Sequence, residues 1–194
     1  MEFLDKKLIF ENEIKLKFII IGKAQIGKSF FCNRINLNYS KYQKLNLNYL
    51  QTIGLDFYKI NIKFRNKIFS FQIWDTSGEE LYKNLKTNFY KSSQIFLMFY
   101  DASDRDSFEI VKSDLKEIRK QCKTQNIIIL LVRSKYDNIL KLKKDDIVND
   151  EEVLEFADIN KIYFFHIGIN EKFETGINEL FEFVLNKYIE QTYV

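Results

Sequence analysis

Gly22-Lys23-Ala24-Gln25-Ile26-Gly27-Lys28-Ser29 decides how this chain is read. The stretch fits GxxxxGK[ST] and directly follows the apolar run Phe18-Ile19-Ile20-Ile21, so a buried strand feeds a turn and then a helix. A phosphate-cradling loop requires that context. Gly22 and Gly27 let successive backbone N–H groups converge on one anion, and the helix that Lys28 opens adds the positive end of its dipole. In such a loop Lys28 reaches the outer phosphates and the Ser29 hydroxyl ligates Mg²⁺. A chance glycine turn between strand and helix has the same spacing, so the rest of the chain has to decide.

Working outward, the totals set bounds. The chain has 194 residues, 46% of them apolar, enough for one domain with a sizeable core, so the expectation is one domain over 1–194 with an arm at 1–14 and a core at 15–191. Net charge is +3, with basic and acidic residues interspersed, which argues against nucleic acid as the main partner. Cys32 and Cys122 stand far apart in predicted helices and form neither a disulfide framework nor a metal cluster, which suits a reducing, cytoplasmic setting. The first fifteen residues alternate charged and apolar types, unlike a secretory signal, and no apolar run approaches the roughly 20 residues of a membrane span.

In chain order, strands are predicted over 15–21, 57–64, 68–74, 95–100, 127–132 and 162–167, and helices over 28–35, 107–122, 151–158 and 176–190. The second and third strands form an antiparallel pair around Arg65-Asn66-Lys67, where Asn66 tolerates a left-handed conformation. Later strands alternate with helices. That order implies an α/β fold: a six-stranded, mostly parallel sheet with one antiparallel strand, helices on both faces, and a ligand site at the carboxyl ends of the strands. Residues 36–51 form a polar connection of about sixteen residues, longer than compact domains usually use, which marks it as functional or disordered.

Two further motifs fall at that same edge. Trp74-Asp75-Thr76-Ser77-Gly78-Glu79-Glu80 leaves the third strand, so Asp75 can hold Mg²⁺ through water and the Gly78 N–H can meet a terminal phosphate. Tyr49-Leu50-Gln51-Thr52-Ile53-Gly54-Leu55-Asp56-Phe57 closes the long connection. There the Thr52 hydroxyl can ligate Mg²⁺ and its N–H can meet the terminal phosphate, ordering the loop when triphosphate is bound.

With these motifs in place the chain resembles the Ras-like small GTPases, and among them the Rab family. Ile53-Gly54-Leu55-Asp56-Phe57 is similar to IGVDF, Phe71-Gln72-Ile73-Trp74 to the end of KLQIW, and Met98-Phe99-Tyr100-Asp101 to LVYD. The resemblance spans about 15–189. It implies a Ras-like G domain of the P-loop NTPase class that binds GTP and GDP with Mg²⁺ and hydrolyses GTP slowly as a molecular switch in vesicle trafficking. Ala24, Gln25, Ile26, Gly27, Lys28, Ser29, Phe30, Tyr49, Thr52 and Gly78 would contact the nucleotide. Ser29, Thr52 and Asp75 would serve the metal, and Lys28, Thr52 and Glu79 the chemistry. Phe57, Trp74 and Phe89 would form an aromatic patch that effectors read, and exchange factors or GAPs would be further partners.

Arg133-Ser134-Lys135-Tyr136-Asp137 is similar to the family's NKxD, with Ser134 where Asn is usual. Asp137 can accept from N1–H and the 2-amino group of guanine, Lys135 can lie along the base, and Ser134 forfeits about one hydrogen bond, roughly 1 kcal/mol. Gly168-Ile169-Asn170 falls where the family has its second base loop, SAK, and matches it poorly. Glu79 replaces the Gln that orients the attacking water, and Ala24 faces the place of an incoming arginine finger. With no cysteine near Val194, a prenyl anchor has no attachment point, and membrane residence is expected to depend on a partner. The rival reading keeps the fold but makes it an interaction subunit with permanent nucleotide or none.

Overall fold

The computed structural model describes residues 1–4, 12–37, 54–78, 88–122, 126–135, 148–169 and 174–193. The elements are β1 (Glu2–Leu4), β2 (Glu13–Ile21), α1 (Lys28–Leu37), β3 (Leu55–Phe64), β4 (Lys67–Thr76), β5 (Ile95–Asp101), α2 (Arg105–Gln121), β6 (Ile128–Ser134), α3 (Asp150–Ile159), β7 (Tyr163–His166), β8 (Gly168–Ile169), β9 (Glu174–Thr175) and α4 (Ile177–Tyr193). The main sheet has the order β1-β3-β4-β2-β5-β6-β7, and β3 alone runs against the other strands. The predicted six strands are corrected to seven. Part of the expected N-terminal arm is β1, whose Phe3 lies opposite Ile62 and packs edge-on against Phe181 with ring centres 6.5 Å apart. Three residues carry no period of their own, and only this tertiary pairing reveals the strand.

The central strands are apolar on both faces because helices cover both. Along β5, Ile95, Leu97 and Phe99 join the core under α1 and α4, while Phe96, Met98 and Tyr100 join the one under α2 and α3. Phe181 of α4 anchors the first core. Its ring lies 5.4 Å from that of Phe71, 6.1 Å from Phe31 and 6.2 Å from Phe18, so its truncation should cost about 3–5 kcal/mol.

Local chemistry sets several boundaries. Arg65 and Asn66 have φ of 46° and 61°, which makes the β3–β4 connection a two-residue turn of the primed kind rather than the three-residue loop expected. The helix α2 starts two residues earlier than its apolar period suggests, because the Asp104 side chain caps it by accepting from Ser107 N. Cys122 lies just past its end, buried, as is Cys32 in α1. β8 and β9 form a separate antiparallel pair between β7 and α4 that the sequence does not signal. No helix among the described residues is long and apolar enough to cross a membrane.

Candidate functional site

The strands β2 and β4 are parallel neighbours, so the loops that leave their carboxyl ends emerge side by side. After Ile21 the backbone takes φ of 135° at Gly22, 65° at Gln25 and 99° at Gly27 before α1 begins. A Cβ on Gly22 would stand 2.3 Å from the carbonyl oxygen of Phe99, so a side chain there is excluded by backbone as well as by φ. The first helical donor is Phe31 N to Gly27 O, and the turn before it lines a cavity of about 260 Å³. The walls include Ala24, Gln25, Gly27, Lys28, Ser29, Phe30, Thr76, Ser77, Gly78 and Lys135. Ile26 contributes no wall: its side chain is buried, and its tip would crowd any Cβ on Gly22.

Within the cavity Lys28 is buried, and its ammonium donates to Gly22 O at 3.0 Å and Lys23 O at 2.7 Å. Ser29 Oγ donates to Asp75 Oδ2 at 2.5 Å, and Asp75 is fully buried. The two residues expected to share a metal are thus one hydrogen bond apart. Thr76 Oγ1 donates to Ile20 O at 2.8 Å, locking the end of β4 onto β2, and Ser77 N donates to Gly54 O at 2.9 Å. A Cβ on Gly78 would lie 2.1 Å from Ala24 N, so the chain leaving β4 rests directly on the phosphate loop.

The residues expected at the base adjoin it. A smaller cavity of about 40 Å³ lies among Gly27, Phe30, Phe31, Phe99, Ser134, Lys135 and Ile167. Ser134 Oγ donates to Tyr100 O at 3.0 Å. Lys135, with φ of 54°, pairs with Asp101 at 2.7 Å. Burial pushes the Asp101 carboxyl up, but the bonds from Lys135 and Ser103 outweigh it and hold the group below its ordinary value. Lys23 bonds to both carboxylate oxygens of Asp104, at 2.8 and 2.9 Å, and this contact raises its pKa.

Against this geometry stand the comparisons with known proteins. A sequence profile of the Ras family matches residues 17–190. GTP-binding protein YPT1 of Saccharomyces cerevisiae is 33% identical over 154 residues, 79% of this chain and 70% of that protein. Ras-related protein Rab-11C of Dictyostelium discoideum is 32% identical over 171 residues, 84% and 71% respectively. GTP-binding protein ypt3 of Schizosaccharomyces pombe is 34% identical over 154 residues, 79% and 67%. This chain belongs to the Ras family, in its Rab group.

In this Ras-family chain, the structure brings together Ala24, Gln25, Gly27, Lys28, Ser29, Phe30, Asp75, Gly78, Ser134 and Lys135 around the two adjoining cavities. Gly168 and Ile169 pair with Thr175 and Glu174 as a short hairpin that begins one residue beyond Ile167 on the smaller cavity. Tyr49, Thr52, Glu79, Asp137 and Asn170 lie outside the described residues. The aromatic side chains anticipated as one patch are contiguous: ring centres of Phe57 and Trp74 are 4.9 Å apart and those of Trp74 and Phe89 are 4.8 Å apart, with Phe57 half exposed. Sequence reasoning missed Thr76 and Ser77, although both sit inside the quoted motif, and it missed the ion pairs of Lys23 and Lys135, whose partners are 81 and 34 residues away. His166 is partly buried at the end of β7.

Proposed function

We propose that this Rab-group chain is a guanine-nucleotide switch that takes up GTP with Mg²⁺, hydrolyses it slowly and retains GDP, and that it serves vesicle trafficking through partners reading the Phe57-Trp74-Phe89 surface. One observation carries the reading: Lys28, Ser29 and Gly78 line one cavity at the carboxyl ends of β2 and β4, with Asp75 bonded to Ser29 behind its wall. The donor set suits Mg²⁺, since a hydroxyl and a buried carboxylate are hard oxygen ligands and this ion keeps several waters. When bound, Mg²⁺ neutralises charge on the outer phosphates.

The remaining work belongs to side chains and backbone. Lys28 exchanges its two loop carbonyls for phosphate oxygens, which gives a buried ammonium a fully charged partner. Gly78 offers its N–H at closest approach, and Thr52 closes over the terminal phosphate. Asp137 accepts from the guanine edge while Lys135, steadied by Asp101, lies along the base. Glu79 can take a proton from the attacking water but cannot donate to the γ-phosphate, and the Ala24 methyl crowds an arginine finger. Losing that finger forfeits about 10³ to 10⁵ in rate, so hydrolysis is slow.

Nucleotide released from the purified chain and separated by chromatography tests the binding, and single-turnover GTP hydrolysis with Glu79→Gln tests the chemistry. Guanine nucleotide and a slow, Mg²⁺-dependent turnover are expected; adenine nucleotide would contradict the reading. The second reading, an interaction subunit without turnover, draws support from Ser134, whose hydroxyl is already engaged by Tyr100 O. An ATPase or nucleotide kinase explains the phosphate loop but leaves Asp137 and Thr52 without a task.

A further inference from the structure

Arg133 stands directly before the base-recognition residues and is buried in the interior, with 1% of its surface exposed. Its Nε donates to Tyr100 Oη at 2.9 Å, its Nη2 pairs with Asp150, the first residue of α3, and the guanidinium lies 5.3 Å from the ring centre of Phe164. Its carbonyl accepts from Ile167 N at 2.8 Å. A buried cation is costly unless paired, and an aliphatic side chain would pack against Tyr100 and Phe164 without that cost. The arginine therefore calls for a task beyond filling space.

Its position supplies one. The chain leaves β6 at Ser134 and Lys135 and returns at Val148, whose N–H donates to Ala102 O at 2.7 Å. Arg133 and Asp150 join the end of β6 to the start of α3. On the other side, the guanidinium lies against Phe164 of β7, the strand that leads through Ile167 to Gly168 and Ile169, the second stretch expected at the base, while the Ile167 bond belongs to the main chain whatever side chain stands at 133. Arg133 thus touches both roots of the base end. A guanidinium can bond Tyr100 and Asp150 at once in one plane, which an ammonium cannot reproduce.

We propose that Arg133 is the positioning residue of base recognition: clamped by Asp150 and Tyr100, it ties the end of β6 to the start of α3 and fixes Ser134, Lys135 and the Gly168–Ile169 strand around one guanine ring. This rests on the guanine-nucleotide reading above and assigns the clamp that gives that site its selectivity.

The test uses the full chain with Arg133→Met, Arg133→Lys and Asp150→Asn. Dissociation of GDP and of IDP, which lacks the 2-amino group, is followed in Mg²⁺, together with competition by magnesium pyrophosphate. Arg133→Met should speed GDP release about tenfold and narrow the GDP/IDP preference, with pyrophosphate competition unchanged. Arg133→Lys should behave like the methionine variant, and Asp150→Asn, a change at a side chain that is 60% exposed, should show the same narrowing. A lowered melting temperature with GDP/IDP preference intact in these variants would overturn the clamp. Amide hydrogen exchange of nucleotide-free protein is the independent arm. Faster exchange at 134–135 and 167–169 in Asp150→Asn supports the clamp even where wild type takes up no guanine nucleotide, a result that would sink only the functional reading; unchanged exchange overturns the clamp.

Discussion

The two ends of the site are held by different means. At the phosphate end the path of the loop is set by backbone, with positive φ at Gly22, Gln25 and Gly27 and a Gly78 pressed onto Ala24, and side chains such as Ser29 and Asp75 add ties to it. At the base end the geometry is made by side chains from distant elements, Lys135 with Asp101, Ser134 with Tyr100 and Arg133 with Asp150. Backbone geometry tolerates few sequences and so appears as a motif. Side-chain ties have many solutions and so leave no fixed spacing to read.

The contrast can be broken first at the phosphate end. Lys28→Ala removes a buried charge at the proposed phosphate site and should weaken a non-hydrolysable GTP analogue by about 2–5 kcal/mol in calorimetry. Gly22→Ala places a Cβ against Phe99 O and should destabilise the fold by about 2–4 kcal/mol in urea titration, a loss that a base-end substitution should not match. Ser134→Asn sharpens the other side. If the missing carboxamide limits binding, this variant tightens GDP by about 1 kcal/mol; if the Tyr100 bond is what matters, affinity stays flat.

The smallest effect concerns acid. Asp101 is held below its ordinary pKa, so in the acid range the unfolded chain binds the extra proton. Its contribution is therefore complete above about pH 4 and is lost as pH falls further. Asp101→Asn should flatten the acid limb of a stability-against-pH curve by less than about 1 kcal/mol, because Lys135 is partly exposed and the pair is screened. An identical acid limb in both proteins would remove Asp101 from the account.

What could be read in advance follows the same division. The strand, turn and helix around Gly22–Ser29, and the place of Asp75 and Gly78 beside them, were legible because each depends on residue type at fixed spacing next to a strand. Alternating apolar strands and amphipathic helices announced the sheet with helices on both faces, since burial on two sides forces continuous apolar runs such as Ile95–Asp101. β1 and the β8–β9 hairpin were illegible because two or three residues hold no periodicity, and pairing with a remote partner is what makes them strands. Arg133 was passed over for a similar reason. Written beside Ser134 it is one more surface-type cation, and only the fold reveals that Tyr100, Phe164 and Asp150 enclose it.

The central claim is that one Mg²⁺-dependent guanine nucleotide binds where Lys28, Ser29, Asp75 and Gly78 meet. Titration calorimetry of nucleotide-stripped protein with matched GTP and ATP analogues, with and without Mg²⁺, tests it most directly. The account predicts a preference for the guanine analogue of at least about a hundredfold, corresponding to roughly two well-made hydrogen bonds from the guanine edge to Asp137, and its loss when Mg²⁺ is withheld. Equal affinity for both analogues, or no heat with either in the presence of Mg²⁺, would contradict it.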